Sequence, residues 1–442
     1  MDKLLLLMVA LATLPAAADT IAVINGRIET VGPAGTLATG TVVIVDGRIA
    51  AVGSDVRPPA GARIIDATGK IVTPGFIAAS TSLTIAQVDG VRSTRDDRPG
   101  SLLGAGNDLQ YGVNTASTII AEARRTGVTR VVATPTPPEG GEAADEETAG
   151  ADTAGPAGGG ALPRLFGGQA AAVRLGAGDP DPVFAPRVGI TLEFGEAGAA
   201  ATGSRGAAYV LAHEALEDAR RYAKHRAAFD TQEIPSRYGR ADLEALQPVL
   251  GGTVPLLVRA HRAADLRQVL RFAKREGVRV VIEGAEEGWL VADELARTKT
   301  PVIIDSESDL PSSFEALGSR LDNAARLQAA GVLVAIVGSR DFSNLRQARF
   351  NAGTAVANGL PYAAALASIT MNPALAWGIA DRVGSLQPGR DADVVVWDGD
   401  PLETSSYPVV VIVRGEVQPN GTRGTELRDR YLPQDSGAHG AR

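Results

Sequence analysis

The 442-residue sequence contains no cysteine. That excludes disulfides, thiolate-bound metal, a cysteine nucleophile and a cysteine-linked lipid anchor. Histidine is almost as scarce, with His213, His225, His261 and His439 the whole supply. A centre built from several imidazoles therefore has little to draw on. Aromatic residues make up only 4% of the chain while hydrophobic residues reach 45%. A large core must then be filled by Ala, Val, Leu and Ile. Positive charge is not in excess: the formal net charge is −8. That speaks against nucleic acid or an anionic membrane surface as a general partner. Apolar runs of transmembrane length are missing as well.

What is present begins with a targeting pattern. Lys3 precedes the apolar run Leu4 to Leu14, and Ala16-Ala17-Ala18 end it before Asp19. Residues 1–18 have the form of a cleaved secretory signal, which implies an exported, periplasmic protein. Residues 19–72 carry short β-branched runs such as Ile21-Ala22-Val23-Ile24 and Thr41-Val42-Val43-Ile44-Val45. Asn25-Gly26 and Asp46-Gly47 punctuate them and suit two-residue hairpin turns. From 73 to 380 strand and helix signals alternate with short links, the pattern of a parallel sheet closed as a barrel. Pro137 to Gly160 interrupts it with Glu139, Glu142, Asp145, Glu146, Glu147 and Asp152 and no basic residue. Such a segment buries too little apolar surface to order itself, and is expected to be a disordered acidic loop. Strand signals return in 381–420, where Asp391 and Asp393 suit turn residues opening a strand, and 421–442 is a polar tail.

The chain is organised around Ile71 to Leu83. There the punctuation Thr73-Pro74-Gly75 leads into Phe76-Ile77-Ala78-Ala79, a pattern that suits a buried strand following a tight turn. This stretch resembles the first barrel strand of the amidohydrolase superfamily. Similar resemblance lies in Phe166-Gly167-Gly168-Gln169, with Gly167-Gly168 taken as a turn, in Ala260-His261-Arg262-Ala263, and in Gly384 to Trp397. Ala352 to Leu360 and Ile369 to Ala374 look like the late barrel helices of imidazolonepropionase-like periplasmic amidohydrolases. The resemblance implies an α/β fold: a (β/α)8 TIM-type barrel plus a small β-sandwich formed from both chain ends.

It also implies a metal-bound hydroxide held by His-x-His on the first strand, a carboxylated Lys or Glu on the fourth, single His residues on the fifth and sixth, and Asp on the eighth. Ser80 and Ser82 stand at the first pair. Glu193 is a weak stand-in on the fourth strand. The fifth ends Arg259-Ala260-His261, and either Arg259 or His261 matches the ligand position. Gly284 takes the sixth position, and Arg340-Asp341 the eighth, with Asp341 one residue late. Neutral hydroxyls are poor zinc ligands beside imidazole, and Arg259 and Arg340 bring fixed positive charge. No metal is expected, with zinc the cofactor if the site is retained.

The remaining candidates are Asp341 and Glu283 for acid–base work, and His261, Arg259, Arg340, Ser80 and Ser82 for binding substrate. Glu283, Asp305 and Glu307 suit ion pairs with Arg259, Arg262 or Arg340 equally well. Ser80 or Ser82 with His261 is also a conceivable nucleophile–base pair, though no nucleophile-elbow motif accompanies it. Two functions stay open. One is hydrolysis of a non-peptide C–N bond in an amide or cyclic amide. The other is a non-catalytic barrel that binds a small anionic ligand, forms homo-oligomers, or pairs with an active paralogue.

Overall fold

A computed structural model describes residues 20–88, 91–97, 103–135, 165–231, 233–311, 313–338 and 347–432. The signal segment 1–18, the acidic insertion, Arg340 and Asp341 lie outside these residues. In chain order the strands are β1 (Thr20–Glu29), β2 (Thr36–Val45), β3 (Arg48–Gly53), β4 (Arg63–Asp66), β5 (Ile71–Pro74), β6 (Phe76–Thr81), β7 (Val128–Ala133) and β8 (Phe166–Arg174). They continue with β9 (Val183–Glu193), β10 (Leu256–Ala260), β11 (Val280–Gly284), β12 (Val302–Asp305), β13 (Val334–Val337), β14 (Val394–Trp397), β15 (Pro408–Val413) and β16 (Glu416–Val417).

Both chain ends build the smaller β domain. Its hydrogen-bonded order is β16-β15-β14-β5-β1-β2-β3, with β4 alongside β1. The junction of the two halves is β14 on β5, antiparallel, with Val394 opposite Pro74 and Trp397 opposite Ile71. Val42, Ile44, Val72, Val394 and Ile412 share its apolar core. Asp46-Gly47 turns at positive φ between β2 and β3, as expected. Asn25-Gly26 does not turn. It lies inside β1, where the pairing with β2 shifts register, so the pair makes a bulge rather than a hairpin. The tail also departs from expectation: Arg423–Tyr431 is a helix, started by a reciprocal capping box between Thr422 and Thr425.

Gly75 separates the two domains. Any side chain there would overlap Thr129, so β5 can pass directly into β6 only with glycine between them. The second sheet runs β6 through β13 in sequence order. Side-chain alternation divides its core. Ile77, Ala79, Val132, Leu257, Val281, Ile303 and Ala335 fill the barrel interior. Phe76, Ala78, Val131, Val258, Ile282 and Ile304 pack outward among the helices. No ladder joins β13 to β6. The seam is held by Ile77 N–H to Ile369 O (2.8 Å), Asn372 Nδ2 to Val334 O (2.7 Å) and Trp377 Nε1 to Ala79 O (2.7 Å).

The all-parallel expectation fails at one strand. β8 runs antiparallel to both β7 and β9. Gly167-Gly168, taken above as a turn, are therefore residues of this strand. The physical reason is the short link 175–182, which joins β8 to β9 as a hairpin where a parallel pair needs a crossover of a dozen or more residues. Reversal of β8 has a spatial consequence: the chain leaves β7 through Pro135 and rejoins at Leu165 on the same face of the barrel. Both anchors of the acidic insertion thus sit at the barrel mouth. Among the described residues no helix is long and apolar enough to cross a membrane.

Candidate functional site at the barrel mouth

Three neighbouring parallel strands set the centre of the site. In the β9–β10–β11 register Arg259 lies directly opposite Glu193 on one side and Glu283 on the other. Residues opposite one another in a sheet face the same way, so register alone places a cation between two carboxylates. Arg259 Nε donates to Glu283 Oε2 at 2.7 Å, Nη1 donates to Glu193 Oε1, and Nη2 donates to Pro135 O at 2.8 Å. Arg259 is 5% exposed and Glu193 only 1%. Burial alone would lower the guanidinium's pKa, but Glu193 and Glu283 outweigh it and raise it. The group is a permanent buried cation whose donors point at its own neighbours.

His261 follows two residues on. Its Nδ1 lies 2.5 Å from Glu286 Oε2. Burial pulls its pKa down, yet the Glu286 hydrogen bond, with Glu286, Glu315 and Glu193 charges, brings it above the ordinary 6.5. The ring packs on Gly284. A Cβ at Gly284, where φ is +104°, would come within 2.5 Å of His261 Nδ1. The sixth-strand position therefore has no room for a ligand side chain while His261 keeps this place.

The first strand ends in hydroxyls. Ala78 pairs with Val131 and Thr81 with Ala133, so β6 carries one extra residue there, a bulge that re-aims the strand end. Ser80 Oγ lies 2.8 Å from Thr134 Oγ1, and both residues are buried, as is Ser82. His261 Nδ1 is directed at Glu286 rather than at a serine, which leaves the Ser–His nucleophile reading unsupported. At the end of β12, Asp305 accepts from Asn351 Nδ2 (2.7 Å) and Glu307 N–H (3.0 Å). Burial raises its pKa, and the charges of Glu307 and Glu286 raise it further.

Comparison with known proteins now bears on the chain. Residues 250–420 match the model of the amidohydrolase family. Amidohydrolase tasK of Hapsidospora irregularis is 30% identical over 179 residues, which span 40% of this chain and 18% of that protein. The crystal structure of an amidohydrolase from Thermotoga maritima MSB8 superposes with a TM-score of 0.76 at 23% identity, covering 90% of this chain and 99% of that one. That family match covers under half of the chain, and over most of its length the chain shares the fold of the Thermotoga maritima protein. An adenosine deaminase from Xanthomonas campestris with bound zinc shares the fold at a TM-score of 0.50 and 16% identity, covering 93% of this chain and 98% of that one.

At the barrel mouth the structure brings together Glu193, Arg259, His261 and Glu283. Glu286, Glu315 and Thr134 complete the surroundings and were not singled out by sequence. The acidic run Glu286-Glu287 directly after β11 was the available signal, since barrel function gathers on the loops after strands. Another carboxylate group lies elsewhere: His213, Glu217 and Glu276 place ligand atoms within 4.8 Å of one another. Glu276 already accepts from Arg220 (3.0 Å) and Arg275 (2.8 Å), so its charge is matched by two guanidinium groups.

The His261–Glu286 pair yields a pH prediction. Its contribution is complete below the unfolded His pKa of about 6.5 and is lost as pH rises through the higher folded value. An NMR titration of the His261 ring should show a midpoint above 6.5 in the native chain and a lower one in Glu286→Gln. Equal midpoints would remove the pair from the account.

Proposed function

We propose that this protein is a non-hydrolytic member of the amidohydrolase superfamily, a barrel that binds a small molecule without a metal. The Glu193–Arg259–Glu283 triad carries this reading. A hydrolytic zinc site takes three protein ligands, neutral imidazoles or carboxylates, and keeps a position open for water. The donors available among the described residues do not fit. Strand β6 offers buried hydroxyls, β10 a guanidinium, and β11 a glycine under the His261 ring. The two best carboxylates already accept from Arg259. A metal would have to break these charge-assisted hydrogen bonds to recruit either carboxylate.

The ligand we assign to the mouth is a cation or amine. Expectation from Arg259 and Arg340 was the opposite. Arg340 lies outside the described residues, and Arg259 is matched twice over. Glu286, Asp305, Glu307 and Glu315 add negative charge, while Arg205 is paired with Asp265 and Glu315. A thermal-shift series of matched amides, differing only in an ammonium or a carboxylate, should show larger stabilisation by the ammonium member.

Purified protein is expected to hold well under one zinc per chain by elemental analysis. It should not hydrolyse N-acyl amino acids, dipeptides or cyclic amides at rates that respond to added zinc. The family match supports a second reading, a hydrolase of non-peptide C–N bonds. Stoichiometric metal together with zinc-dependent turnover, both lost in His261→Ala, would establish that reading instead. The export expected from residues 1–18 sets the compartment we propose, the periplasm.

A further inference from the structure

Away from the mouth, helices Ala263–Glu276 and Ala292–Thr298 flank a cleft of about 590 Å³. Its charged lining is Arg267, Arg271, Lys274, Arg279, Arg297 and Lys299 against the single carboxylate Glu294. Six cations and one anion leave a formal +5 on a chain whose net charge is −8. Among the described residues only Arg267 is matched by a carboxylate, Glu294 at 2.8 Å. Arg279 donates to the Gly252 carbonyl. Arg271, Lys274, Arg297 and Lys299 are exposed. A second cavity of about 620 Å³ shares Arg271, but its other cations, Arg205 and Arg275, are matched by Asp265, Glu315 and Glu276.

Helix ends account for part of this. Lys274 and Arg297 stand in last turns, where the dipole favours cations. Two C-termini supply about one negative charge between them, which leaves most of the excess without a counter-charge. Lys299 is harder to explain that way. It caps its helix at φ +53°, a conformation in which glycine or asparagine is preferred and other side chains are strained. A strained lysine that adds charge to an already positive cleft points to a use for that charge.

We propose that this cleft binds a compact ligand carrying two or more phosphate groups. Guanidinium forks match phosphate oxygens, and lysines add point charge. The volume suits a small molecule rather than a polymer. The acidic remainder of the chain would repel a long polyanion or an extended anionic membrane. The cleft sits on the outside of the barrel, so it is independent of whatever the mouth holds.

Inorganic tripolyphosphate is the probe, titrated calorimetrically into the whole mature protein at low salt, with sulfate at equal ionic strength as control. Vesicles of phosphatidylglycerol test a lipid headgroup as the source of the phosphate. Arg271→Gln combined with Lys299→Asn removes two exposed cations, and asparagine suits the positive φ, so folding should be kept. Tripolyphosphate should bind more tightly than sulfate and weaken at least about tenfold in the double variant. Vesicle binding abolished by the same variant would make the cleft a membrane-binding surface and overturn the assignment of a compact ligand. No binding beyond the sulfate control with either probe, or binding that the variant leaves unchanged, would overturn the proposal.

Discussion

Arg259→Met should destabilise the barrel by about 3–5 kcal/mol near neutral pH, a large part of the 5–15 kcal/mol that usually holds a domain folded. The guanidinium bridges β9, β10 and β11 through Glu193 and Glu283 and also holds the Pro135 carbonyl. Its removal leaves two buried carboxylates facing each other with no cation between them. Each then disfavours its charged form, so the folded pKa values of the pair rise above about 4.3. The folded variant binds protons that the unfolded chain has already released. Its stability therefore falls as pH rises, and the deficit is smaller at pH 5 than at pH 8. Adding Glu193→Gln and Glu283→Gln to Arg259→Met removes the buried charge altogether and should recover most of the loss. Urea unfolding of the single and triple variants at both pH values checks this. A loss under about 1 kcal/mol at pH 8, or a triple variant no better than the single one, would show that the triad does not hold these strands together.

The same triad shows what the sequence made legible and what it hid. Glu193, Arg259, His261 and Glu283 all attract attention because each ends a strand, and a Glu283–Arg259 ion pair is among the roles open to them. Their convergence is a matter of register, which depends on how β9, β10 and β11 line up over more than ninety residues of chain; no local pattern states it. Gly284 is comparable. In sequence it looks like a missing ligand, whereas in space the place is taken by the His261 ring. β8 escaped for a local reason. Phe166-Gly167-Gly168-Gln169-Ala170-Ala171-Ala172 contains no β-branched residue before Val173, so its strand tendency comes from burial between β7 and β9 rather than from intrinsic preference. By contrast Val280-Val281-Ile282 and Val334-Ala335-Ile336-Val337 are apolar, β-branched and flanked by turns, and the strands appear where expected.

Arg130 is the second place where one substitution should have a large effect. It lies on β7 with a fully buried side chain, 0% exposed. Its Nε donates to Asp393 Oδ2 at 2.5 Å and its Nη2 to Asp393 Oδ1 at 3.0 Å and Asp391 Oδ2 at 3.3 Å. The guanidinium also lies 4.6 Å from the Phe184 ring centroid. Asp391 and Asp393 do precede β14, as turn residues would, but Asp393 also accepts from Arg414 N–H (2.8 Å) and Asp391 from Arg382 Nη2 (3.1 Å). These bonds tie the barrel wall to the β domain assembled from the far end of the chain. Asp393→Asn keeps the shape and removes the charge that faces Arg130 most directly, and should cost about 3–5 kcal/mol, because the buried guanidinium keeps only the longer contact to Asp391, which Arg382 shares. Asp391→Asn should cost less, since Asp393 still holds the guanidinium in two places. The two domains are joined through Gly75 and this cluster, so weakening it should lower one common unfolding transition rather than split it. Calorimetry of Asp393→Asn that shows the β domain melting separately while the barrel keeps its native midpoint would mean the cluster serves the small domain alone.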